Sequence, residues 1–122
     1  MRNYEFLKSG EVLSGLDKYR YSQGAENIKL KDAAGEKITV KNYATMLQKN
    51  IEEESGEVTD EKILLAIEDA GGNVYVTNSA TAREAFTNIV EFLADDGVKT
   101  GFEIKVVTGK SKNDRDFVTV TL

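Results

Sequence analysis

Residues 102–122, FEIKVVTGKSKNDRDFVTVTL, alternate apolar and polar residues on both sides of a short polar loop. That pattern admits few folds. Phe102, Ile104 and Val106 interleave with Glu103 and Lys105. After the loop Lys110–Arg115, Val118, Val120 and Leu122 point one way and Phe117, Thr119 and Thr121 the other. A repeat of two residues with one apolar face is a strand half-buried against a core. Two such runs joined by Gly, Lys, Ser, Asn and Asp predict an antiparallel hairpin.

The same pattern recurs upstream. Ile28 and Leu30 alternate with Lys29 and Lys31, and after Asp32–Gly35, Ile38 and Val40 alternate with Lys37, Thr39 and Lys41, predicting a second hairpin. Its polar face would carry Lys29, Lys31, Lys37 and Lys41. Like charges opposed on a ribbon repel, and a bound polyanion would relieve them; an edge that resists aggregation is the competing use of such lysines. Residues 11–22, EVLSGLDKYRYS, read as an irregular first strand bent at Gly15, with Tyr19 and Tyr21 on one face beside Lys18 and Arg20. Residues 59–69 fit either a helix from Thr59 to Gly71 or a buried strand at 63–67 paired through 70–73 with VYVT at 74–77. The five-residue apolar run and the Gly-Gly turn favour the hairpin.

Two segments read as helices. Residues 42–55 place Tyr43, Met46, Leu47, Asn50 and Ile51 at helical spacing after Asn42, with Gly56 as the stop. Residues 78–97 bring Ala82, Ala85, Phe86, Ile89, Val90 and Leu93 onto one stripe, with Thr81 and Glu84 as a capping box and Gly97 as the stop. The sum is one domain over residues 1–122, of class α+β, about seven strands and two helices, with a mainly antiparallel, OB-like curved sheet or small barrel.

Composition narrows the chemistry. The 122 residues hold no cysteine and no histidine, which removes disulfides, thiolate sites, imidazole ligands and the usual general base. No carboxylates stand at metal-ligand spacing, and neither a phosphate-binding glycine loop nor a calcium loop is present, so no cofactor and no metal are expected. Asp114 and Asp116, flanking Arg115, read as a turn with local ion pairing. No apolar run approaches the roughly 18 residues of a membrane span, and the start lacks an apolar leader, so a cytoplasmic protein is expected.

The net charge of −5 is unevenly placed. Residues 2–41 carry eight Lys/Arg and six Asp/Glu (+2), 42–98 carry three and twelve (−9), and 99–115 carry five and two (+3); Asp116 completes the total. Basic ends would attract a polyanion. Phe117, beside Lys110, Lys112 and Arg115 and on the strand face away from Val118, has the composition of a single-stranded nucleic-acid site, where bases stack on aromatic rings and cations follow phosphates. Tyr19 and Tyr21 with Arg20 repeat it. Packing of these aromatics into the core is the alternative.

NVYVTNS at 73–79, the helix after it, and the C-terminal run 102–122 with its S-K-N-x-R-x-[FY] segment resemble small single-stranded DNA-binding proteins of bacteriophages of lactic acid bacteria. Relatives often have Gly where Asp114 stands. The resemblance implies an OB-like barrel that coats single-stranded DNA in replication, recombination or repair, a homodimer, phage or host replication and recombination proteins as partners, and the host cytoplasm as its location. It carries Lys110, Lys112, Arg115 and Phe117 over as DNA contacts. Many single-strand-binding proteins have an acidic tail; this chain ends in FVTVTL, so such a tail is expected to be missing or supplied elsewhere. The competing function is a protein-interaction or inhibitor module whose acidic middle mimics nucleic acid. A magnesium-dependent nuclease is a remoter third.

Overall fold

The computed structural model describes residues 2–23, 26–113 and 115–122. Its frame is one long strand, β3 (Lys37–Ile51). Along one edge β3 pairs antiparallel with β4 (Val58–Asp69). Along the other it pairs first with β6 (Glu103–Lys110) and then with β1 (Arg2–Ser9). The order β2–β5–β4–β3–β6–β7 adds β5 (Val74–Thr77), β7 (Asp116–Thr121) and the two-residue β2 (Ile28–Lys29), which runs parallel to β5. The register of β3 shifts between Val40 and Asn42, where it passes from its β6 partner towards β1. Such a bulge bends and twists a strand. The result is a curled, mixed half-barrel of α+β, OB-like type, with helices α1 (Gly15–Tyr21) and α2 (Ala80–Asp95).

Both sheet faces are covered in the middle. On one, α2 buries Ala82, Phe86, Ile89 and Val90 against Tyr43, Leu65, Ile67 and the β6–β7 hairpin. Phe86 meets the Tyr43 ring edge-on at 4.9 Å. On the other, Tyr21 of α1 packs with Ala44, Met46, Ala66 and Val74. A strand covered on both faces reads as a continuous apolar run. ILLAI at 63–67 is therefore the predicted buried strand, and its hairpin to β5 is present.

The same two-sided burial corrects the predicted helix over 42–55. Ala44 and Met46 face one core and Tyr43 the other, so the apolar positions imitate helical spacing on an extended strand. Asn42 caps no helix; its Oδ1 accepts from the backbone of Glu11 and Tyr43 at 2.8 and 2.9 Å. Gly56, at φ +72°, sits in the β3–β4 turn, where Gly56 N donates to Glu52 O.

Residues 15–21, predicted as strand, are α1. Ser14 and Asp17 form a reciprocal capping box, each backbone N–H donating to the other's side chain at 3.1 Å. Helical geometry separates the two tyrosines: Tyr19 is 63% exposed and Tyr21 fully buried. The hairpin predicted between 28–31 and 37–41 is absent. Leu30–Ala33 form a 3-10 turn instead, so the four lysines share no ribbon face. Helix α2 matches its predicted stripe, but Ser79 rather than Thr81 caps it, accepting from Ala82 N at 3.1 Å. The C-terminal hairpin forms as expected, with Val118 and Val120 buried; Leu122, past the end of β7, is exposed.

A buried polar cluster fastens α1 to the sheet. The Tyr21 hydroxyl donates to Glu68 Oε1 at 2.8 Å, and Glu68 Oε2 meets Arg20 at 3.1 Å. Burial, reinforced by the Glu68 carboxylate, pushes the Tyr21 phenol well above its ordinary range. Burial also raises Tyr43 and Tyr75. A phenol whose folded pKa is raised keeps its proton where the unfolded chain has lost it, so stability is intact below the ordinary tyrosine pKa near 10 and falls as pH rises beyond it. Unfolding free energies from urea titrations between pH 8 and 11 should hold steady and then drop, by about 1.4 kcal/mol per pH unit for each proton so held. Tyr21→Phe should flatten that fall.

Candidate nucleic-acid interface

The sheet carries a groove of about 730 Å3, lined from the face opposite the one that α2 covers. Its floor comes from cross-strand rows that the registers dictate. Gln48 of β3 lies opposite Lys62 of β4, and Met46 opposite Leu64. Ala66 lies opposite Val76 of β5, which in turn lies beside Lys29 of β2. Gln48, Lys62, Leu64, Val76 and Lys29 all line the groove. One wall is Ile28–Lys31, and the other is Thr108, Asp116, Phe117 and Val118 from the β6–β7 hairpin. Thr77, Asn78 and Ser79 close the end near α2, where the Ser79 hydroxyl donates to Val118 O at 3.3 Å. Arg2 of β1 lines the groove as well.

The lining is cationic in an acidic chain. Arg2, Lys29, Lys31 and Lys62 stand against one carboxylate, Asp116. None of the four makes an ion pair among the described residues, whereas Lys37 reaches Glu103 and Lys41 reaches Glu68, each at 3.9 Å. Apolar Ile28, Leu64 and Val76 lie between the charges. Phe117, which is neither buried nor fully exposed, contributes its ring. Cations spaced around apolar and aromatic surface suit a flexible polyanion with flat bases.

The structure treats the sequence-predicted positions unequally. Lys29, Lys31 and Phe117 come together in the groove. Lys110 ends β6 opposite Asp116 beside the groove. Exposed Lys112 and Arg115 belong to the adjoining turn, which Ser111 and Arg115 close through a backbone hydrogen bond of 2.9 Å. Asp114 lies outside the described residues. Tyr19 and Arg20 line a smaller depression of about 220 Å3 that shares Asn27 and Ile28 with the groove. Arg20 is already held there, by Glu68 and by Gly72 O at 2.8 Å. Lys37 and Lys41 line neither. Tyr21, predicted as a stacking ring, has no free face, because α1 turns it into the core.

Arg2, Lys62 and Gln48 were not legible as site residues. Lys62 follows Asp60 and Glu61 in an acidic stretch, and Arg2 belongs to a strand whose place only β3 decides. Among the described residues no group of three or more metal-ligating side chains is gathered, and no helix is long and apolar enough to cross a membrane.

Against known proteins, residues 11–122 match the family described as Phage Single-stranded DNA-binding protein. The chain belongs to this family. Its role is therefore single-stranded DNA binding, and single-stranded DNA is its partner. No curated protein and no solved structure matches it.

Proposed function

We propose that the groove is the DNA-binding surface and that the protein coats single-stranded DNA exposed during phage replication, recombination or repair, in the cytoplasm of the host. Four cations that make no ion pair among the described residues, gathered in one groove of a chain with net charge −5, carry this reading. Phosphates follow Arg2, Lys29, Lys31 and Lys62, with Lys110, Lys112 and Arg115 extending the basic track past the hairpin turn. Bases lie on Phe117 and the apolar floor, and Tyr19 offers a further exposed ring beyond Ile28. Stacking on an aromatic face and contacts to phosphates need no particular base, and the proposal is of sequence-independent binding by a non-catalytic protein. A homodimer and contacts with phage or host replication and recombination proteins complete the proposal.

Titration of a fluorescent oligo-dT at low and moderate salt tests it. Binding should be micromolar or tighter at low salt. The logarithm of the affinity should fall with the logarithm of salt by about 0.7 per phosphate neutralised. No binding at low salt overturns the proposal and favours an inhibitor that presents the acidic residues 42–98 to a basic partner. Loss of intact oligonucleotide on adding Mg2+ would instead indicate a nuclease.

A further inference from the structure

Gly109 stands inside β6, directly opposite Phe117 of β7. Glycine weakens a strand interior, because it has no side chain to pack and loses more backbone freedom than other residues. Its usual justification, a left-handed backbone, does not apply: among the described residues the glycines of positive φ are 35, 56, 72, 97 and 101. Space supplies the reason. A Cβ at Gly109 would lie 2.7 Å from Phe117 Cζ, 3.1 Å from Cε1 and 3.3 Å from Cε2. The far half of the Phe117 ring therefore reaches across to β6 and covers the glycine. Gly10 is crowded in the same way, 2.7 Å from Tyr43 Cε1 of the strand to which it is hydrogen-bonded, but that ring is buried in the core and does not line the groove, whereas Phe117 borders it.

We propose that Gly109 is a positioning residue for base stacking: by leaving its own side-chain space empty, it lets the Phe117 ring lie across β6 as a platform facing the groove. A methyl at Gly109 would occupy the ring's resting place and force a different rotamer, at an angle to the incoming base. The inference rests on the reading of Phe117 as a stacking residue. It adds that the ring's orientation is set from the neighbouring strand.

The test compares oligo-dT with an abasic oligonucleotide of equal length, which keeps the phosphates and lacks the bases, for the wild type, Phe117→Ala, Gly109→Ala and the double variant. In the wild type oligo-dT should bind roughly five- to a hundred-fold more tightly than the abasic chain. Phe117→Ala and Gly109→Ala should each shrink that ratio while leaving abasic affinity unchanged. The double variant should be no worse than Phe117→Ala alone, since without the ring the methyl obstructs nothing. Gly109→Ala keeping the wild-type ratio, or adding its own loss to that of Phe117→Ala, overturns the inference while the stacking reading stands. Phe117→Ala keeping the wild-type ratio overturns the stacking reading and the inference with it. Should Gly109→Ala fail to fold, recovery of the fold in the double variant supports the clash with the ring, and failure of both overturns it.

Discussion

Replacing Lys29, Lys31 and Lys62 together with glutamate is expected to weaken oligo-dT binding on the order of a hundred-fold or more at moderate salt, and to flatten its salt dependence by about two logarithmic units per decade. The three ammonium groups are exposed and make no ion pair among the described residues, so their reversal leaves no buried charge stranded. In the groove each reversal removes an attraction for phosphate and adds a repulsion. The control is Lys8→Glu with Lys18→Glu and Lys99→Glu, three exposed lysines outside the groove that change the net charge equally. If charge acted only through the total, both triple variants would fall together. A local interface predicts that only the groove variant loses affinity, by fluorescence anisotropy at three salt concentrations. Equal losses would sink the assignment of the groove.

Phe86→Ala should be the most destabilising single change in α2. The ring is 1% exposed and touches Tyr43 edge-on, with Phe102 on its other side at 6.0 Å between centroids. Truncating such a residue removes its burial and leaves a cavity, at about 3–5 kcal/mol. In a domain of this size that lowers Tm by roughly 12–20 °C. Phe92, six residues along the same helix, is 74% exposed, and Phe92→Ala should shift Tm by no more than a few degrees. Thermal unfolding followed by circular dichroism measures both. Equal losses would mean that α2 packs through another face. Because Ser79, the N-cap of α2, lines the groove and donates to Val118 O, loosening the helix should also weaken DNA binding near the lowered Tm and spare it well below.

The contrast between the two phenylalanines was legible beforehand. The apolar stripe of α2 contains Phe86 and omits Phe92, because a helix presents residues at a spacing that local sequence alone sets. The same holds for the β6–β7 and β4–β5 hairpins, whose strands meet through short turns of residues suited to them. The capping box of α1 was also local, and was missed: Ser14 and Asp17 carry the signal, while the alternating tyrosines drew the segment towards a strand reading.

Long-range pairing decided the rest. Residues 42–51 have apolar positions compatible with a helix, and they are a strand because β1 and β4 hydrogen-bond along both edges while cores close on both faces. Residues 28–31 point towards a hairpin with 37–41, yet β2 finds its partner in β5, more than forty residues away. The site follows the same division. That this chain has basic ends, an acidic middle, an aromatic beside a cationic turn and no histidine or cysteine is written in the sequence. That Arg2, Lys29, Lys62 and Phe117 border one groove, that Tyr21 leaves the surface, and that Gly109 lies beneath the Phe117 ring was decided by the sheet. The physical reason is range: turns, caps and periodicity act over a few residues, whereas a groove is made where strands distant in sequence are brought into register.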